Sequence, residues 1–151
     1  YDFRLEMHDV LKSWSVPKGP PFKKDERRLA IPTEDHPIEY LDFEGVIPKG
    51  QYGGGTVMVW DIGTYDLIEG NYYKGFLRFY LDGAKLKGEW TMKRFVTGKD
   101  EADNRDKWHL IKSGRNTRVV SKARDDQSAL TQRTMTQIAS AADAVWQSNR
   151  R

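Results

Sequence analysis

Two short stretches hold the residue types that reaction chemistry on an anion would need. In the first, YDFRLE, Asp2 and Arg4 stand two residues apart, so in an extended chain their side chains point the same way. An aspartate can ligate a hard cation, and an arginine can clamp a phosphate with a two-pronged hydrogen bond. An ion pair on a solvated strand face explains the same two residues and is the commoner use of such a pair. The second stretch, TEDHPIEY, holds Glu34, Asp35, His36 and Tyr40. Pro37 holds His36 out of the helical region. Its imidazole could act as metal ligand or acid/base group, and the Tyr40 hydroxyl could hydrogen-bond a phosphate. A loop bearing acidic side chains is the competing explanation. Lys18, in a Pro-Lys-Gly turn, and Arg28 offer positive charge for an anion, or are ordinary solubilising residues.

Other candidates are weaker. The GQYGGGT segment lacks the G-x-x-x-x-G-K-[ST] pattern and leads into a strand, which argues against a nucleotide-binding loop. A tight turn needing positive φ at several positions accounts for its glycines. His8 falls at a hairpin turn and His109 within a strand, with no metal-ligand spacing between them.

The elements that must position these residues are mostly strands. Tyr1, Phe3, Leu5 and Met7 alternate with polar residues, a period-2 strand with one apolar face. MHDV then makes a turn, and residues 10–16 return as a second strand. A Pro-rich charged loop follows, and residues 29–40 read as strand plus turn. Strand signals recur at 56–60, at 63–68, in a pair flanking Asp82-Gly83, and in WHLIKSG, with TGKDEADNRDK as a polar loop. Seven or eight short strands joined by turns point to a barrel or a closely packed sandwich. Residues 115–127 are polar and read as a linker. Beyond them Thr134 and Gln137 fit a capping box, and Ile138, Ala141, Ala142, Val145 and Trp146 fall on one helical face. This predicts a C-terminal helix that packs Trp146 on the barrel or on a neighbouring domain.

The bulk composition is consistent with one folded domain. The chain has 151 residues, 38% hydrophobic and 31% charged, with five Trp. Its formal net charge is +3, which is compatible with a nucleic-acid partner without requiring one. The absence of Cys excludes a disulfide framework and thiolate metal sites. No run approaches the about 18 apolar residues of a membrane span, and a cytoplasmic protein fits best.

Taken in order, YDFRLE, LKSWSVPKGP, RLAIPTEDHPIEYLDFEGVIPKGQYGGGTVMVWDIGTY, LKGEW and KWHLIK closely resemble the 3′-phosphoesterase domain of bacterial DNA ligase D. The resemblance covers about residues 1–112. The tail ALTQRTMTQIASAADAVWQSNR resembles the segment that leads from this domain toward another catalytic domain. The resemblance implies a mainly β fold, a compact closed β-barrel of about eight strands with flanking short helices and a C-terminal helix. With the change in composition after Gly114, the chain divides into a phosphoesterase barrel domain over 1–114 and a linker and helix over 115–151.

The resemblance also implies a divalent metal site, typically Mn2+, and action on 3′ ends in non-homologous end joining. Such domains remove a terminal ribonucleoside from a DNA or RNA/DNA primer-template, leaving a 3′-phosphate. They then hydrolyse that phosphate to a 3′-OH that can be ligated. By this resemblance Asp2 is a metal ligand, Arg4 contacts the reacting phosphate, and His36 is the active-site histidine. Tyr40 helps hold the phosphate, and Lys18, Arg28 and Glu34 are supporting or substrate-contacting residues. Polymerase and ligase domains and Ku are the implied partners, and the nucleoid region of the bacterial cytoplasm is the implied location. In the family a ligand His stands directly before the YDFR motif and another lies several residues earlier. This sequence begins at Tyr1, so it is expected to bind metal poorly and to be inactive or nearly so as given. The competing reading is a non-catalytic nucleic-acid-binding barrel that docks on polymerase and ligase domains.

Overall fold

His8 and Asp9 both adopt positive φ, 54° and 64°, the backbone of a two-residue hairpin turn whose twist matches its strands. That turn sets the register of the first hairpin. Strand β1 (Asp2–Met7) pairs antiparallel with β2 (Val10–Ser15), with Asp2 opposite Ser15 and Arg4 opposite Ser13. The computed structural model describes residues 1–51, 54–95 and 106–147. These fall into two compact units, Tyr1–Ile38 with Gly63–Val119, and Glu39–Ile62 with Val120–Arg151.

The first unit is one antiparallel sheet. Besides the hairpin it contains β3 (Arg27–Pro32), β6 (Gly63–Asn71), β7 (Phe76–Gly83), β8 (Lys87–Phe95) and β9 (Lys107–Ser113). The second unit supplies β4 (Gly45–Ile47) and β5 (Gly55–Val57). The seven strands run in the order β1-β2-β3-β9-β8-β7-β6 and curl strongly into a half-barrel. On the inner face Trp14, Phe79, Trp90 and Trp108 are fully buried. Phe3 on β1 stacks on Phe79 of β7 with centroids 5.8 Å apart, and Trp14 meets Trp108 edge-on at 5.5 Å. Burying such aromatic area stabilises the curled sheet. Lys112 is also fully buried, its Nζ donating to the carbonyls of Glu89 (2.7 Å) and Ser113 (2.6 Å) over the Trp90 ring.

The mainly β prediction holds, but the closed barrel of about eight strands is corrected. The sheet has seven strands among the described residues, and its ends β1 and β6 do not pair. The Tyr65 hydroxyl of β6 donates to the Glu6 carbonyl of β1 at 2.6 Å. The strand signal at 56–60 resolves to the short β5, and the polar loop expected after β8 lies mostly outside the described residues.

In the second unit β4 and β5 form a two-stranded sheet, with a 3₁₀ turn at Ile38–Tyr40 leading in and two short helices, α1 (Lys122–Asp125) and α2 (Met135–Ala141). The polar stretch read as a linker therefore includes a helical turn, capped by Ser121. The capping box at Thr134 and Gln137 forms as expected. The helix stops earlier than its apolar spacing predicts, because Ala142 turns left-handed at φ 44°. Val145 and Trp146 thus leave the helical face. Val145 bridges in parallel to Val46, and the Trp146 ring packs on Tyr40 (5.0 Å) and Phe43 (5.6 Å) of the same unit. Gly45 is required here, since a Cβ would lie 2.2 Å from the Ala144 carbonyl oxygen.

Candidate functional site

The hairpin register places Asp2, Arg4, Ser13 and Ser15 on one face of the sheet, because residues directly opposite on paired strands point to the same side. The opposite face carries Phe3 and Trp14 into the core. The segment that follows β3 runs on beside β2. Leu11 N–H donates to the His36 carbonyl at 2.8 Å and His36 N–H to the Leu11 carbonyl at 3.0 Å, an isolated antiparallel bridge. The extended backbone that Pro37 imposes on His36 makes this bridge possible. It delivers the imidazole to Ser13, whose Oγ lies 3.1 Å from Nδ1. Asp35 is drawn away, its carboxylate 2.9 Å from Lys12 Nζ.

Asp2, Arg4 and His36 therefore form one electrostatic group. Burial is the largest influence on His36 and pushes its pKa below the ordinary value, and the Arg4 guanidinium adds to this. The Glu34 carbonyl and the Asp2 and Glu34 carboxylates act in the opposite direction and do not overcome it. At neutral pH the imidazole is therefore uncharged. Arg4 Nη2 and Asp2 Oδ2 are 3.5 Å apart, well beyond the usual charge-assisted hydrogen bond. The Asp2 side chain is 57% exposed and Arg4 only 20%. Such a pair contributes little to stability, so the surface ion-pair explanation gives these residues little to do.

The remaining candidates are placed differently. Lys18 is exposed in the turn after β2, where Gly19 has φ 77° and packs beneath the Tyr1 ring. That turn is tied to the start of β1 by the Val16 N–H donating to the Tyr1 carbonyl at 2.7 Å. Arg28 pairs with Leu110 on β9 and so belongs to the Trp14 face, with Glu26 Oε2 3.5 Å from its Nη2. It does not share the face of Asp2 and Arg4. Tyr40 lies in the second unit, buried against Phe43 and Trp146. His8 packs at a tilt against Tyr73, and His109 stacks on Phe95.

Among the described residues no three His, Cys, Asp or Glu side chains group closely enough to hold a metal ion. Asp2 alone does not make a metal centre. What the site offers from its own residues is a guanidinium suited to an oxyanion and a neutral imidazole beside it. Sequence reasoning missed Ser13, which lies in a run of alternating residues with no motif of its own. A two-residue turn at His8-Asp9 already pairs it with Arg4, and that was the available signal. It also missed Glu44, a buried carboxylate of the second unit. Glu44 accepts from Val59 N–H (3.0 Å), the Thr131 hydroxyl and Arg133 Nη2 (3.3 Å).

No helix among the described residues is long and apolar enough to cross a membrane. The family described as the DNA ligase D 3′-phosphoesterase domain matches residues 1–94. The chain is 47% identical over 117 residues to the multifunctional non-homologous end joining protein LigD of Pseudomonas aeruginosa, covering 75% of this chain and 13% of that protein. It is 42% identical over 123 residues to the multifunctional non-homologous end joining DNA repair protein LigD of Mycobacterium tuberculosis, covering 79% of this chain and 15% of that protein. A LigD from Mycolicibacterium smegmatis is 58% identical over 66 residues, covering 44% of this chain and 9% of that protein. The chain thus spans less than a sixth of the length of these relatives. With a family match over more than half its length, it belongs to the 3′-phosphoesterase domain family of DNA ligase D.

Proposed function

We propose that this chain is a metal-dependent phosphoesterase that processes DNA 3′ ends in bacterial non-homologous end joining. It acts as 3′-ribonucleoside phosphodiesterase and 3′-phosphomonoesterase, leaving a 3′-OH for ligation. The observation that carries this reading is the grouping of Asp2, Arg4 and His36 on one sheet face, in a chain of this family. Arg4 would pair with the non-bridging oxygens of the terminal phosphate and neutralise charge that builds in the transition state. His36, neutral at rest, would accept a proton, and once charged would donate to an oxygen of the reacting phosphate. Tyr40 is assigned to holding the phosphate, and Lys18, Arg28 and Glu34 to the nucleic-acid strand. Mn2+ is the expected metal and Asp2 the ligand this sequence contributes. Bound, such a cation would act as a Lewis acid at the phosphoryl group.

The substrate is the 3′ end of DNA or of an RNA/DNA primer-template. Polymerase and ligase domains are the expected partners and Ku a further one, in the cytoplasm around the nucleoid. The division into a phosphoesterase domain over 1–114 and a trailing segment over 115–151 belongs to the same proposal.

The test is release of phosphate from a 3′-phosphorylated primer-template with Mn2+ added. It is run on this chain and on a version carrying the family's His-containing segment ahead of Tyr1. Release by the extended version that is lost in Arg4→Ala and His36→Ala supports the reading. Duplex binding without release in that version would favour a non-catalytic nucleic-acid-binding module.

A further inference from the structure

We propose that the sheet face across β3, β9 and β8 is a binding track for an unpaired nucleic-acid strand, whose bases stack on His109 and Phe95 and whose phosphates meet Arg27 and Lys93. This deepens the proposed function and rests on it for the identity of the substrate as nucleic acid. The track lies on the face that carries Asp2 and Arg4. Asp2 stands opposite Ser15, and Ser15 opposite Ile31, so Ile31, Leu29 and Arg27 point to that same side. Leu29 in turn stands opposite His109, and His109 opposite Lys93. The order β1-β2-β3-β9-β8 puts about 19 Å of sheet between Asp2 on β1 and the rings on β9 and β8.

The face has the chemistry of a strand-binding surface. The His109 and Phe95 rings stack with centroids 4.1 Å apart and planes 18° from parallel, and neither residue is buried. Stacked planes on a sheet face hold bases by their π faces, whatever the base. Burial and the Arg27 guanidinium push the His109 pKa below its ordinary value, so at neutral pH the ring is an uncharged plane. Cationic side chains flank it on both sides. Arg27 is exposed on β3, and Lys93 is exposed on β8, its Nζ 5.8 Å from the Phe76 ring centroid. Lys107 stands opposite Phe95. On β3, β9 and β8 the register leaves this face a single acid, Glu89, which lies 4.0 Å from Arg78 of β7. Leu29, 40% exposed beside His109, adds apolar surface of the kind that water covers poorly and a base covers well. Positive charge beside open rings matches a single strand, which offers phosphates and unstacked bases together.

The experiment is fluorescence anisotropy of a 5′-labelled oligo(dT) strand titrated with the 151-residue chain over a salt series, without added metal. The unsubstituted chain should bind the strand, and more tightly than a duplex of the same length. His109→Ala should weaken binding about tenfold, the worth of one stacked base, and His109→Phe should retain it. Arg27→Ala and Lys93→Ala should each lower the salt slope by about 0.7, the share of one phosphate contact on a single strand. Lys87→Ala is the control, because Lys87 sits at the other end of β8 with its Nζ 2.8 Å from Asp82. No binding, equal binding of the duplex, unaltered affinity in folded His109→Ala, or an equal loss in Lys87→Ala and Lys93→Ala overturns the proposal. If His109→Ala does not fold, Arg27→Ala, Lys93→Ala and the preference for strand over duplex decide it. In the extended version with Mn2+, Lys93→Ala should raise KM for a 3′-phosphorylated primer-template with kcat little changed. Absence of any turnover in the unsubstituted extended version would instead count against the proposed function, and the oligo(dT) titration then decides the track.

Discussion

Replacing Glu44 by Ala removes the acceptor on which the second unit converges. Val59, only 8% exposed, loses the partner of its N–H, and an unsatisfied buried donor costs about 1–3 kcal/mol. The Thr131 hydroxyl is at the surface and finds water, and Arg133 retains Asp143 at 3.2 Å, so these two add little. Ser128, only 2% exposed, also hydrogen-bonds Glu44, so the expected loss is at least about 2 kcal/mol, shared between Val59 and Ser128. Glu44→Gln keeps an oxygen for Val59 and presents an NH2 to Arg133, so it should cost about half as much, about 1 kcal/mol. Amide exchange reads this locally. The Ala129 N–H donates to the Val59 carbonyl at 2.8 Å and should exchange about 30-fold faster in Glu44→Ala.

Acid supplies a second arm. Burial raises the Glu44 pKa, but hydrogen bonds from Ser128, Thr131, Val59 N–H and Arg133 outweigh it, and the net shift is downward. A carboxyl whose folded pKa lies below its unfolded value stabilises above the ordinary carboxylate range, and that stability is lost as pH falls through the lowered value. Glu44→Gln should lack this part of the acid slope. Less than threefold acceleration at Ala129 in Glu44→Ala, or an identical acid slope in Glu44→Gln, would refute the assignment of Glu44 as the organising acceptor.

Further outcomes can be measured on the same preparations. Gly45→Ala should cost about 2 kcal/mol or more in urea unfolding, because its methyl would enter the Ala144 carbonyl and only backbone movement relieves that. Arg4→Ala in the extended, Mn2+-supplied version should lower kcat for 3′-phosphate release by about a hundredfold, and Arg4→Lys should not restore it, since the two-pronged geometry is lost. His36 has a lowered pKa, so the folded chain resists its protonation. Its penalty on stability is absent above the ordinary histidine range and grows as pH falls from there toward the lowered value. His36→Gln should flatten the stability profile across that window, and an unchanged profile would contradict the burial of the imidazole.

The first hairpin was legible because two local signals agree, the alternation of Tyr1, Phe3, Leu5 and Met7 and the turn at His8-Asp9. The pairing of Asp2 and Arg4 on one face followed from period 2 alone. Closure of the barrel was not legible, since it depends on whether β1 and β6 pair, and residues 63–71 carry nothing that says whether their outer edge will find a partner. The start of α2 was legible from its capping box. Its end was not, because Ala142 turns left-handed with no Gly or Pro to mark it, and a helical spacing that included Val145 and Trp146 is satisfied by strand and ring contacts instead. Ser13 acquires its role from a bridge between residues 25 apart in the chain, Leu11 and His36. Glu44 acquires its role from donors at Val59, Thr131 and Arg133. Local pattern carries neither.

The seam between β2 and the chain that pairs beside it runs from Ser15 to Leu11. Trp14 pairs with Pro32 and Ser15 with Ile31 between β2 and β3, and the Thr33 N–H bond to the Ser13 carbonyl and the Leu11–His36 bridge continue that seam, while six residue pairs join β1 to β2. Asp2, Arg4, Ser13 and His36 all belong to the first 36 residues, and the contacts that unite them close within that stretch. The site is thus shared between a hairpin arm and the segment that pairs beside it, with the arm anchored by the buried Trp14 ring and by the Tyr65 hydroxyl at the far edge. Short sequence separation makes such an arm quick to form. Because Phe3 and Trp14 on the reverse of the same hairpin pack on Phe79 and Trp108, the face that carries Arg4 is held by the core itself, and displacing it would open that core.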